Sequence, residues 1–260
     1  MHALSWKIAY FPIQQGKNLG NTLSEASRAI ELMHEYNQND QAVSSSVWCQ
    51  VMGNLAGESD QPLVLRGKWF DTVGWVPPTP LMAGSLNFQK LVLFVFFGHY
   101  EEGADLALEM VDYEKLFPGF SLCQFEAFIR GVPLFAMVRK TGKRKYRRTA
   151  EQVLRTIDGW VKKGNPNVQQ YACLLKAEQA ASKRKHREAE SLYKEAIVIS
   201  ARTGQLHTAG LANQRYADYL LVDRKDEDEA SYRIEQAIRF YTEWGAEALV
   251  ERLSNAVAKS

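Results

Sequence analysis

The sequence predicts an all-α protein, an α-solenoid of antiparallel helix pairs with a repeat of about 40 residues. One five-residue helical signature carries that expectation. Ala189, Tyr193, Ala196, Ile197 and Gly204 are matched 41 positions later by Ala230, Ile234, Ala237, Ile238 and Gly245. The first four positions share one helical face, where alanine lets a neighbouring helix approach and the larger residues fill the space beside it. The closing glycine suits a helix that ends in a left-handed residue. No stretch alternates with period two for long enough to argue a strand.

The same spacing can be followed along the chain. A weak first copy runs Thr22, Ala26, Ala29, Ile30 and Asn37, asparagine being the usual substitute for glycine at a left-handed helix end. The next copy should fall between Asp60 and Pro80 and is missing; Pro62, Pro77, Pro78 and Pro80 predict an irregular connection there. Ala104, Leu108, Val111, Asp112 and Gly119 follow, with Asp112 as the misfit, and then Thr149, Val153, Thr156, Ile157 and Gly164. Each of these second helices needs a first helix as its partner, and the candidates are 43–55, 85–98, 120–139, 167–182 and 205–222. Pro166 fits the first turn of the fourth candidate, where its missing N–H costs nothing. Ala172, Ala177, Ala180 and Ala181 give that helix its small face, and Lys162 and Lys163 favour the carbonyl end of the helix before it. The expectation is about ten helices in one elongated array over 1–260. The apolar start, with Trp6, Ile8, Tyr10 and Phe11, is unlike the polar cap of a terminal repeat, whereas Lys259 and Ser260 are polar. The chain therefore reads as a fragment of a longer array.

Composition excludes several classes. A formal net charge of +2 argues against both an acidic tail and a globally basic nucleic-acid binder. Cys49, Cys123 and Cys173 have no Cys-x-x-Cys spacing and read as buried thiols of a reducing compartment. The N-terminus lacks a signal peptide, and the apolar run Leu91–Phe97 is far shorter than the ~20 residues that span a bilayer. These features predict a soluble, cytoplasmic protein.

The C-terminal third carries a resemblance. Ala189-x-x-x-Tyr193-x-x-Ala196-Ile197-x-x-x-Ala201-x-x-Gly204 is followed by His207, Ala209 and Tyr219-Leu220. Ala230, Tyr232, Ala237 and Tyr241-x-x-Trp244-Gly245-Ala246 come next, then Val250 and Leu253. This resembles the tetratricopeptide-like region of large signalling proteins that combine a predicted ATPase with GAF and histidine-kinase domains. Phe97-Gly98-His99-Tyr100-Glu101-Glu102-Gly103-Ala104 looks like an inter-helix turn of such a repeat. The resemblance covers 98–253 and fits 1–80 poorly. It implies a right-handed superhelix and a scaffold for protein–protein or interdomain contacts in signal transduction. It brings no catalytic residue, since the chain has neither a Gly-x-x-x-x-Gly-Lys-Ser/Thr loop nor a kinase signature.

One local feature invites a binding role. Arg139, Lys140, Lys143, Arg144, Lys145, Arg147 and Arg148 form a basic cluster, and Lys183, Arg184, Lys185 and Arg187 form a second. Both fall at expected helix-to-helix turns, so they would make one basic edge if successive turns line up. Such an edge would take an anionic partner, either nucleic acid or an acidic protein. The weightier reading is a solvated turn with partly buried aliphatic stems, because no aromatic stacking platform accompanies the cations. His2, His34, His99, His186 and His207 are scattered without zinc-ligand spacing, so no metal or cofactor is expected. Glu101-Glu102 and Asp226–Glu229 precede alanine-led helices and suit their positive ends. Trp244 reads as packing under the last turn. With no nucleophile beside an identifiable base, the chain reads as a non-catalytic scaffold with a protein partner or neighbouring domain. A freestanding adaptor using the basic edge is the alternative, and an enzyme with an unfamiliar site ranks third.

Overall fold

The computed structural model describes residues 5–111, 115 and 119–258. Lys259, Ser260 and the misfit Asp112 lie outside them. Twelve α-helices and no strand occur among the described residues. After a π-helical turn over Trp6–Tyr10 come α1 (Phe11–Gln15), α2 (Leu19–Glu35), α3 (Asn39–Ala56) and α4 (Pro80–Phe96). The middle of the chain forms α5 (Tyr100–Glu109), α6 (Leu122–Thr141), α7 (Arg144–Lys162) and α8 (Gln169–Ser182). The last four are α9 (His186–Arg202), α10 (Leu206–Tyr219), α11 (Glu227–Trp244) and α12 (Glu247–Val257).

The signature explains the hairpins. Ala189, Tyr193, Ala196, Ala230 and Ala237 are fully buried, and α8 with α9 and α10 with α11 form closely packed pairs. Tyr193 stacks on Tyr216 of the following helix at 5.0 Å. Gly164, Gly204 and Gly245 take positive φ, and so does Asn37 at 55°, as a left-handed helix end requires. The copy ending in Gly119 fails. Helix α5 stops at Glu109, Val111 is exposed, and Gly119 closes a later turn. Pro166 lies in a 3-10 turn over Pro166–Val168 that leads into α8.

Between 57 and 79 the chain makes no helix, and one isolated bridge joins Arg66 to Asp71. Buried polar side chains of α3 organise this stretch. Asn54 Nδ2 donates to the carbonyls of Pro62 and Val64 at 3.0 and 2.8 Å. Gln50 Oε1 accepts from the amides of Trp69 and Phe70 at 3.1 and 3.2 Å. The loop's backbone groups thus find partners that a second helix would have supplied internally.

The first helices of the pairs, α3, α4, α6, α8 and α10, pack in succession, and α12 returns to α3. The body is therefore not the elongated array expected from the repeat. Asn18 Nδ2 donates to the Glu243 carbonyl at 3.1 Å, joining the start of α2 to the end of α11. The accessible surface of 12542 Å² is close to the ~11,500 Å² of a compact 29.5 kDa monomer. Sequence reading did not list α12, which brings the chain ends together.

Side chains fill the inner face of these helices. Phe96 meets Trp244 at 5.2 Å, Trp48 meets Phe88 at 5.5 Å, and Phe125 meets His207 at 5.5 Å. All six are fully buried. The segment before α2 covers one end of this cluster. Tyr10 packs on Trp48 at 5.3 Å, and Gln14 Nε2 donates to the Ser121 carbonyl at 3.1 Å. A Cβ on Gly16 would overlap His207 Nδ1 and lie 3.0 Å from the Leu206 amide nitrogen, so the chain needs glycine there. Trp244 packs inside this cluster as expected of it, and Trp244→Ala should destabilise the fold by ~3–5 kcal/mol in urea unfolding.

His207 gives the cluster a pH dependence. Burial among aromatic rings pushes its pKa from 6.5 down to about 3, so the folded state keeps the ring neutral. The unfolded ring takes a proton near 6.5, so stability is complete above that pH and is lost as pH falls toward 3. Denaturation between pH 6.5 and 4 should show a slope of up to about 1.4 kcal/mol per pH unit from this group. The variant His207→Leu should lack that slope.

Candidate functional site

The inner layer opens where α6 and α10 end and α5 begins. A cavity of about 590 Å³ lies there, within the size range of ligand pockets. One wall is the turn from Gly98 to Glu102, with Tyr100 in it. The end of α6 gives Ala136, Met137, Arg139 and Lys140, and α10 with the π turn after it gives Arg215, Asp218, Val222 and Asp223. The turn is fixed by local chemistry. Gly98 takes φ 78°, and the acidic residues Glu101 and Glu102 occupy the positive end of α5.

Behind the cavity lies a buried ionic network. Arg215 Nε and Nη2 donate to the two carboxylate oxygens of Glu178 at 2.8 and 3.0 Å, both side chains being essentially inaccessible. Arg215 Nη1 reaches Asp218 at 3.1 Å, and its guanidinium lies over the Tyr100 ring at 4.4 Å. Burial opposes charge on Arg215, yet Glu178, Tyr100 and Asp218 together outweigh it and hold the guanidinium pKa well above its ordinary value. Arg139 Nη1 donates to Asp223 at 2.7 Å and Nη2 bonds to Asp218. A polar chain continues inward, from Tyr241 Oη to Gln214 Oε1 at 3.2 Å and from Gln214 Nε2 to Tyr100 Oη at 3.2 Å. The arrangement fixes the side chains of Arg139, Glu178 and Arg215, and in the wall of the cavity His99 Nδ1 lies 3.2 Å from Glu102 Oε1.

Comparison with family models, curated proteins and solved structures finds no match. Function must therefore be argued from this geometry.

The basic clusters stand at the turns where sequence reading expected them, but they are not a free cationic edge. Arg139 is a correction. Its side chain is 8% exposed and committed to Asp218 and Asp223, so it belongs to the network and not to the surface. Lys140 pairs with Glu101 at 3.1 Å, Lys145 with Asp105 at 2.9 Å and Lys185 with Glu188 at 2.9 Å. Arg147 donates to the Gly142 carbonyl at 3.3 Å. Lys143, Arg144, Arg148, Lys183, Arg184 and Arg187 are exposed and have no carboxylate partner among the described residues. Arg184 also takes φ 57° in the left-handed turn after α8.

The sequence pattern did not single out Glu178, Arg215, Asp218 or Asp223, and it placed Tyr100 in an inter-helix turn. Arg215 and Glu178 do carry a signal: each is a charged residue in an alanine-rich first helix most of whose positions are buried. Among the described residues no group of three or more His, Cys, Asp or Glu side chains is placed to hold a metal. No described helix is long and apolar enough to cross a membrane.

The network predicts a specific pattern of instability. Glu178→Leu should cost ~3–5 kcal/mol, because it strands a buried guanidinium. Adding Arg215→Met should recover most of that loss, and a urea-denaturation cycle over the four proteins measures both effects.

Proposed function

We propose that this chain is a non-catalytic, tetratricopeptide-like scaffold that docks a protein partner at the charged mouth. The filled inner face carries the proposal. Trp48, Phe88, Phe125, His207 and Trp244 occupy the surface on which an open array would hold a peptide. The open concavity among the inner helices is then the mouth formed by the ends of α6 and α10.

The chemistry of the residues favours binding over catalysis. Burial pushes the Cys49 thiol up to about 12 and the Cys173 thiol up to about 11, so neither is a ready nucleophile. His207, fully buried and neutral, has no acidic partner. The resemblance to signalling scaffolds is specific in the Ala189-to-Gly204 and Ala230-to-Ala246 motifs and generic elsewhere, and the signal-transduction role is proposed on those motifs.

The mouth also favours one sign of partner. Glu101, Glu102, Asp218 and Asp223 line it against Arg139, Lys140 and Arg215, and Glu178 lies behind Arg215. Carboxylates are in excess, so the docking segment should present lysine or arginine. A fluorescent lysine- and arginine-bearing peptide should bind in a salt-dependent manner, at least fivefold more weakly to Glu101→Gln/Glu102→Gln. An acidic peptide or oligonucleotide that binds instead, and is lost on Arg144→Glu/Arg148→Glu, would transfer the function to the basic edge.

A further inference from the structure

A second cavity, of about 390 Å³, lies on the other side of the Phe97–Tyr100 turn. Gln61, Pro62, Leu63, Val64, Phe97, His99 and Arg252 line it. It has a different character from the mouth. Four of its seven wall residues are apolar, none is a carboxylate, and its permanent charge is the guanidinium of Arg252.

That guanidinium is unusual in this protein. Arg130, Arg139, Arg215, Arg233 and Arg252 are the arginines held below full exposure, and the first four each bond a carboxylate. Arg252 does not. Its Nη2 makes one long bond of 3.4 Å to the Phe96 carbonyl, capping the end of α4. Its Nε is shut off from solvent without an acceptor. A guanidinium offers five N–H donors, and a half-buried charge that leaves most of them unused lacks its natural counter-ion. Helix α12 is held by its packing on α3, and the guanidinium lies beside the Gly98 backbone, where a Cβ would come within 3.3 Å of Nη1. The opposite wall is fixed as well, by the two bonds from Asn54 to the carbonyls of Pro62 and Val64.

We propose that this cleft is a binding site for an apolar carboxylate. The carboxylate takes the guanidinium of Arg252, and an aliphatic chain lies against Leu63, Val64 and Phe97. An alkanoic acid and the C-terminal residue of a peptide share this chemistry. Arginine is the side chain best shaped for it, since its planar fork matches two carboxylate oxygens. The cleft shares one wall residue with the mouth, His99, whose Nδ1 lies 3.2 Å from Glu102 Oε1, and its guanidinium and apolar walls are its own.

Calorimetric titration of the full chain tests it with four probes: octanoate, octan-1-ol, acetyl-Gly-Gly-Leu with a free carboxylate, and the same peptide amidated. At least one carboxylate probe should bind saturably, and its alcohol or amide counterpart at least tenfold more weakly. The tighter of octanoate and peptide identifies the source of the natural group. Arg252→Met should weaken the carboxylate at least tenfold, while Arg252→Lys should retain part of the binding. Because Arg252 also caps α4, the wild-type protein gives an independent reading. Methyl NMR signals of Leu63 and Val64 should shift with the carboxylate and stay in place with its counterpart. No saturable binding of either carboxylate, equal binding of the neutral probes, or shifts confined to methyls elsewhere would overturn the assignment.

Discussion

The packing of the chain's last helices against its first half around one aromatic cluster is the constraint on which the rest of the structure depends. Phe96 and Trp244 are far apart in sequence, yet they stand at 5.2 Å, and His207 lies against both. A stack of helix pairs with only neighbour contacts would leave the inner face of every first helix exposed. Here the returning helix α12 and the N-terminal segment cover that face, and aromatic burial is the reward for the curvature. The neutral state of His207 follows from the same closure, because burial among the aromatic rings penalises its charged form.

Closure also moves the open surface. Groups that would have formed a concave groove have become core, and the open cavity lies at the ends of the inner helices. There the chain cannot supply hydrocarbon packing on every side, and it uses ion pairs instead. The Arg215–Glu178 pair is costly to desolvate and contributes little net stability, but it forbids alternative packings that would leave either charge unpaired. It also holds Tyr100 and Asp218 in place, through the cation–π contact and a second ion pair. The mouth is thus rigid for a reason that is local and electrostatic.

Helix identity was legible in the sequence wherever the local pattern decided the outcome. Alanine at 189, 196, 230 and 237 and the left-handed residues at 37, 164, 204 and 245 mark faces and ends that depend on near neighbours alone. The proline-marked gap at 60–80 was legible for the same reason. What escaped depends on distant parts of the chain. Nothing in the spacing says that α12 should return to α3, and Gly119 matched the pattern although α5 ends ten residues before it. The site escaped similarly. Arg139 belongs to a cluster of like residues in sequence, but its partners Asp218 and Asp223 lie two hairpins away.

The basic turns look different once their neighbours are known. Lys140 meets Glu101, Lys145 meets Asp105, and Lys176 meets Asp158, in each case on another helix. Exposed pairs of this kind contribute about 0–1 kcal/mol each, too little to hold helices together. The first basic cluster therefore has a structural half, which faces acids of the adjoining pair, and an outward half of Lys143, Arg144 and Arg148. A run of cations that looks uniform in sequence is divided by the fold, and only its outward half remains free to meet an external charge.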